Sequence, residues 1–172
     1  FARQLILSDD IGYIKFSLDH LESFQAQNLY ADIVQSVRDN EAFISSQIVE
    51  HLSSELICDN VFTSQLWALF GNLGYLPQRQ LLDKMNRCDT ISPSVLAEMV
   101  ASSSDSIESQ FLQVLGVLFL QDGMPKALQG DVAALVRSRK ANLSKISRQL
   151  IAAKPYHENM TALRSDVLKI LN

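Results

Sequence analysis

Apolar side chains recur along this chain three and four residues apart, run after run, with only short polar interruptions. Ile11, Ile14, Phe16, Leu18 and Leu21 make one such stripe, Leu29, Ile33 and Val37 a second, and Phe43, Ile44, Ile48, Leu52 and Leu56 a third. This is the period of an amphipathic helix, and no segment shows the sustained alternation with β-branched residues that a half-buried strand requires. The chain is therefore predicted to be all-α, an α-solenoid or irregular helical-hairpin array of about ten short helices. The longest nearly unbroken apolar stretch, Val114 to Leu120, is far short of the roughly 20 residues needed to span a bilayer.

Local signals set the expected boundaries. Ser8 with Asp9 and Asp10 places an N-cap and carboxylates at a helix start. Further helices are expected over 24–38 and 41–57, with Asp59-Asn60 as the breaker. The most apolar helix runs from Val61 to Leu73 and is predicted to end at Gly74 as a C-terminal cap, with Pro77 opening the next helix over 78–87. Ser92-Pro93 and Pro125 read as two more starts, giving helices over 92–101 and from 125 to Val136. The serine-rich run from Ser102 to Ser106 is a linker before Ile107–Leu120, and helices over 143–153 and 158–171 complete the chain. Gly71 and Gly116 sit inside apolar helices, where glycine costs about 1 kcal/mol relative to alanine, so both are expected at close helix contacts.

Two internal periods compete. Helix starts near 61, 93, 125 and 157 fall 32 residues apart, the cadence of stacked helical hairpins. A second alignment sets Ser64–Gly71 against Ser109–Gly116, 45 residues on, and treats the two segments as equivalent helices. Either is compatible with hairpins that bury their apolar stripe only against neighbours, in one continuous domain over 1–172.

The segment Ser64-Gln65-Leu66-Trp67-Ala68-Leu69-Phe70-Gly71-Asn72-Leu73-Gly74-Tyr75-Leu76-Pro77, followed by Leu81-Leu82, resembles a signature of organellar helical-repeat proteins of the FAST-kinase-like, RAP-associated and octotricopeptide type. The resemblance covers about 20 residues, and it implies that Trp67 and the leucines fill an inter-helix core and that Gly-Tyr-x-Pro turns the chain into its next helix. It further implies a mitochondrial or plastid protein associated with RNA metabolism or a ribosome.

Charge is unevenly placed. Residues 1–123 hold six basic against sixteen acidic side chains, a net of −10, and residues 124–172 hold nine against three, a net of +6. A free-standing nucleic-acid binder is usually basic overall, whereas this chain carries −4. Its cations concentrate at Arg137, Arg139, Lys140, Lys145 and Arg148, which read as a ridge on a hairpin edge able to contact RNA phosphates or an acidic partner. Few aromatic residues are interleaved there, so base stacking is not expected. Cys58 and Cys88 lie thirty residues apart with no C-x-x-C spacing, and are expected as reduced, mostly buried thiols in a cytosolic or mitochondrial-matrix compartment.

Chemical motifs are sparse. His51 and Glu55 are one helical turn apart, but a zinc protease helix needs a second histidine four residues from the first. His20 with Glu22, and His157 with Glu158, form no convincing acid–base pair. The acidic residues of 83–89 lack the glycine and the oxygen spacing of a calcium loop, and no phosphate-binding or nucleophile-elbow motif occurs. No cofactor, metal or small-molecule ligand is expected. The sequence thus points to a non-enzymatic scaffold subunit of a larger assembly, and the resemblance to an organellar, mitochondrial ribonucleoprotein or ribosome. Two other readings stay open: a HEAT-like adaptor or helical effector domain with no RNA role, and part of an RNA-processing enzyme whose catalytic module lies outside these residues.

Overall fold

The structure is a computed structural model that describes residues 1–21 and 26–172. Its described residues form twelve α-helices and no strand. The chain divides into two compact units, Phe1–Cys88 and Asp89–Asn172. The step from acidic to basic composition at 123/124 therefore falls inside the second unit.

The first unit is built from three hairpins. Helices α1 (Ala2–Ile6) and α2 (Ile11–Asp19) make the first, and α3 (Tyr30–Asp39) and α4 (Ala42–His51) the second. The single-turn α5 (Ser54–Ile57) leads to the third, α6 (Asn60–Leu69) and α7 (Tyr75–Met85). Packing follows the rank of each helix within its hairpin: α1 lies on α3 and α3 on α6, while α2 lies on α4 and α4 on α7. That is solenoid stacking, in which each hairpin buries its stripe against the next. Ile14, Ile33, Val37, Ile48, Phe62, Leu66, Leu81 and Leu82 are fully buried along these seams. Each contributes about 1.5–3 kcal/mol through removal of its side chain from water.

The second unit repeats the plan with α8 (Pro93–Ser102) and α9 (Glu108–Phe119), then α10 (Lys126–Arg139) and α11 (Lys145–Ala153), closed by α12 (Thr161–Leu171). Again first helices stack on first helices, α8 on α10 and α10 on α12, and α9 packs on α11. Phe111, Leu115, Leu118, Phe119, Val132, Val136, Ile151 and Val167 fill its core. Buried Gln121 is satisfied from two sides, its Oε1 accepting from the Ile91 N–H at 2.8 Å and its Nε2 donating to the Val117 carbonyl at 3.1 Å.

These elements decide between the two periods. Second helices begin at 11, 42, 75, 108 and 145 and first helices at 30, 60, 93, 126 and 161, steps of 30 to 37 residues that bracket the expected 32 and fall short of 45. The 45-residue alignment sets α6, a first helix, against α9, a second one, so it reflects similar apolar faces and not equivalent repeats.

Several boundaries differ from expectation for local reasons. Asp10, not Ser8, caps α2 by accepting from the Gly12 N–H at 2.7 Å. The helix expected over 41–57 breaks after His51, because Ser53 starts a new turn by accepting from the Leu56 N–H at 3.2 Å. Asp59 does not terminate a helix but caps α6, accepting from the N–H groups of Val61 and Phe62, each at 3.0 Å. Gly74 is the N-cap of α7 with φ −64, not a left-handed C-cap; the chain turns through a 3₁₀ segment, Phe70–Asn72, instead. Gly71 lies in that turn with open space where a Cβ would be, so it is no packing contact. Gly123, at φ +71, does adopt the left-handed conformation that suits its type. Phe24, the expected start of the second helix, lies outside the described residues, as does Glu22.

The cysteines are the clearest correction. Cys58 and Cys88 form a disulfide, with their Cα atoms 5.4 Å apart. The hairpin α6–α7 folds back so that its two flanking residues meet, which spacing along the chain could not show. The bond removes the ground for expecting reduced thiols in a reducing compartment. Among the described residues, no helix is long and apolar enough to cross a membrane.

Candidate docking edges and the basic cluster

The five cations singled out by sequence are near one another, but they do different work. Arg139, at the end of α10, is turned into the protein. Its guanidinium donates to the carbonyls of Ser103, Ser104 and Ser106 at 3.4, 2.5 and 2.6 Å and lies over the Phe111 ring, 4.8 Å from its centroid. One planar fork thus holds the whole serine-rich connector between α8 and α9, a task suited to guanidinium and not to an ammonium group. Arg148 reaches back from α11 to donate to the Lys140 carbonyl at 2.9 Å, closing the 3₁₀ turn Lys140–Asn142. Arg137 and Lys145 are exposed and Lys140 is half-buried. The ridge is thus partly internal scaffolding.

Glu108 sits among these cations at the first position of α9. Its Oε1 accepts from the Ser144 N–H at 2.9 Å, tying the start of α9 to the cap of α11. Hydrogen bonding from Ser147, then from Ser144, with the charge of Arg139, holds the Glu108 carboxyl below its ordinary range.

Exposed apolar side chains are not scattered. Of the eleven large exposed hydrophobic residues among the described ones, eight lie in the first two turns of second helices or just before them: Tyr13, Phe16, Phe43, Tyr75, Leu76, Ile107, Ile146 and Leu150. In the first unit Lys15 of α2 donates to Gln47 of α4 at 2.5 Å, and a Cβ at Gly74 would lie 2.8 Å from Ala42 Cβ. The starts of α4 and α7 therefore nearly touch, which sets Phe43 (61% exposed) beside Tyr75 and Leu76 (49% each). Asp10 and Glu41 are the N-cap residues of α2 and α4 at this edge, Lys15 and Arg79 lie in the first two turns of α2 and α7, and Arg38 is paired with Asp39 at 2.7 Å. In the second unit Ile107, Ile146 (69% exposed) and Leu150 occupy the corresponding edge, beside Lys145 and Arg148. Sequence reasoning missed these edges because each residue continues an apolar helical stripe, and burial cannot be told from exposure by period alone.

The histidines are engaged locally. His51 Nδ1 lies 3.0 Å from the Gln47 carbonyl, and His20 Nδ1 lies 2.8 Å from that of Phe16 while its ring stacks on the Phe16 ring. His157 accepts from the Asn159 N–H at 3.2 Å and lies 3.7 Å from Asp122. A cavity of about 380 Å³ in the first unit is bordered by Leu18, Tyr30, His51, Glu55 and Asp59. Asp59 there is committed to capping α6, and burial, then the charge and hydrogen bond of Asp59, raises the Tyr30 hydroxyl above its usual range. Among the described residues no group of three His, Cys, Asp or Glu side chains could hold a metal ion.

No family model matches the chain, and neither a curated protein nor a solved structure matches it.

Proposed function

We propose that this chain is a helical-repeat scaffold that works by docking proteins along the starts of its second helices, with adhesion and not bond-breaking as its task. The observation that carries this reading is the collection of exposed apolar residues at one position of the repeat, in both units. Hairpins stacked in this way present successive copies of the same helix end, so a partner can make similar contacts on each. Contiguous exposed apolar surface on a folded protein marks an interaction site more often than chance. The adaptor reading is favoured over an RNA-binding ridge because Arg139 and Arg148 spend their donors on backbone carbonyls of their own unit.

Site-specific photo-cross-linking in the cells of origin tests this. A photoreactive residue at Phe43, Tyr75 or Ile146 is expected to give discrete protein adducts that survive nuclease, whereas Val61 and Asp131 give none above background. Adducts to RNA from Arg137 and Lys140, with no protein adduct from the edges, would replace this reading with a ribonucleoprotein one.

A further inference from the structure

The disulfide of the first unit carries chemistry of its own. Cys58 and Cys88 are the two cysteines of the chain, and they join the residue after α5 to the segment that follows α7. Their surroundings differ. Cys88 is 2% exposed, whereas Cys58, the C-cap of α5, is half-buried. Other contacts bring this pair together without the bond. The Lys84 ammonium, one turn before Cys88, donates to the carbonyls of Glu50 and Leu52, the latter at 2.8 Å. It holds the stretch leading to Cys58 against α7, and α5 packs on α7 with Leu56, Ile57, Leu82 and Met85 buried. A reduced chain therefore presents one accessible thiol beside one enclosed thiol. The reachable thiolate is the one that meets an external disulfide, so this asymmetry sets the order of exchange.

We infer that the chain is a substrate of thiol–disulfide exchange, in which Cys58 forms the mixed disulfide and Cys88 resolves it. The inference rests on the burial and packing of the two cysteines and is independent of the docking reading. In the first step the Cys58 thiolate attacks one sulfur of a co-reactant disulfide. A bond forms between the two sulfurs, the co-reactant's own S–S bond breaks, and its second sulfur leaves as a thiolate. In the second step the Cys88 thiolate attacks Cys58 Sγ, the Cys58–Cys88 bond forms, and the remaining co-reactant sulfur departs toward solvent. The chain gives up two electrons and two protons, and the co-reactant ends as two thiols. That co-reactant is a disulfide, carried by a small molecule or by a protein, in a compartment that lets the product persist.

Alkylation of the acid-quenched protein from its cells of origin, read by mass spectrometry, tests the product. Both cysteines are expected to resist alkylation until a reductant is added; two freely alkylated cysteines overturn the inference. Limiting iodoacetamide on the reduced, purified chain tests the order. Peptide mapping is expected to show Cys58 labelled roughly tenfold or more faster than Cys88. Equal labelling, whether from an open Cys88 or from a hairpin that does not hold without its bond, overturns the inference. Cys88→Ala removes the resolving thiol. Mixed with oxidised glutathione, it is expected to keep a stable adduct at Cys58, while Cys58→Ala acquires one at Cys88 about tenfold more slowly; equal rates or the reverse order count against the inference. In the cells of origin Cys88→Ala is expected to accumulate a reducible adduct at Cys58, whose mass tells a small-molecule disulfide from a protein one. No adduct of either kind contradicts the exchange.

Discussion

Hairpin α6–α7 of the first unit and hairpin α10–α11 of the second are the same device built from different residues. Shifted by 70 positions, Asn72-Leu73 falls on Asn142-Leu143, and each pair closes a 3₁₀ turn, Phe70–Asn72 or Lys140–Asn142. In each, a side chain eight residues on donates back to the first carbonyl of that turn: Gln78 Nε2 to Phe70 at 2.7 Å, Arg148 to Lys140 at 2.9 Å. The turn is held by the geometry of the clamp, so amide and guanidinium serve alike. Elsewhere the hairpins part. Trp67 and Phe70, stacked and buried in the first, have Arg137 and Lys140 at the matching positions of the second. The first is tied by a disulfide, whereas in the second unit Arg139 does the tying, with three carbonyls in its grasp. Even the junction of second helices differs, a close Ala42–Gly74 approach in one and the Glu108–Ser144 hydrogen bond in the other. A repeat architecture conserves turn geometry and stacking, and leaves each unit to find its own fastening.

Breaking the fastenings one at a time sharpens this comparison. The largest effect is expected from Cys58→Ala/Cys88→Ala. The 30-residue closure predicts a loss of about 3–4 kcal/mol on the chain-entropy account. Since the single tryptophan, Trp67, lies in the first unit, its fluorescence in a urea titration should report the loss. Next is Arg139→Lys, which keeps the charge but gives up the fork; about 2 kcal/mol is expected from lost carbonyl bonds and the Phe111 contact. Hydrogen exchange should accelerate in the connector around Ser103–Ser106, while Trp67 unfolding stays unchanged. Third, Gly74→Ala forces a Cβ against Ala42 and should cost about 1–2 kcal/mol, recovered in part by Ala42→Gly; Ser144→Ala loses a cap, at about 1 kcal/mol. The smallest effect concerns pH. Glu108 titrates below its ordinary value when folded, so its contribution is present above the unfolded carboxyl range and fades as pH falls through the folded value. Glu108→Gln should slightly lower stability at neutral pH, followed by circular dichroism, and converge on the wild type as pH falls, so that the acid limb is flattened.

How much of this was legible beforehand depends on the range of the signal. Helical period and local caps carry the all-α class, the Ser92-Pro93 start and a repeat step near 32, about which the observed steps scatter. Asp59 and Gly74 read as ends of helices and are starts, because a capping residue between two apolar stripes fits either neighbour until the turn geometry is known. The disulfide and the inward turn of Arg139 depend on residues 30 and more positions apart, which no local pattern encodes. The repeated Asn-Leu at 72–73 and 142–143 aligns the hairpins that the 45-residue comparison sets out of phase.

If the exposed apolar residues of the second-helix edges serve docking and not folding, they can be replaced without loss of stability. Urea unfolding of Phe43→Ser/Tyr75→Ser/Leu76→Ser, followed through Trp67, asks this directly. Exposed side chains outside the core predict stability within about 1 kcal/mol of the wild type. A loss above about 3 kcal/mol, as when buried side chains are cut back, would show that these groups are core and contradict the account.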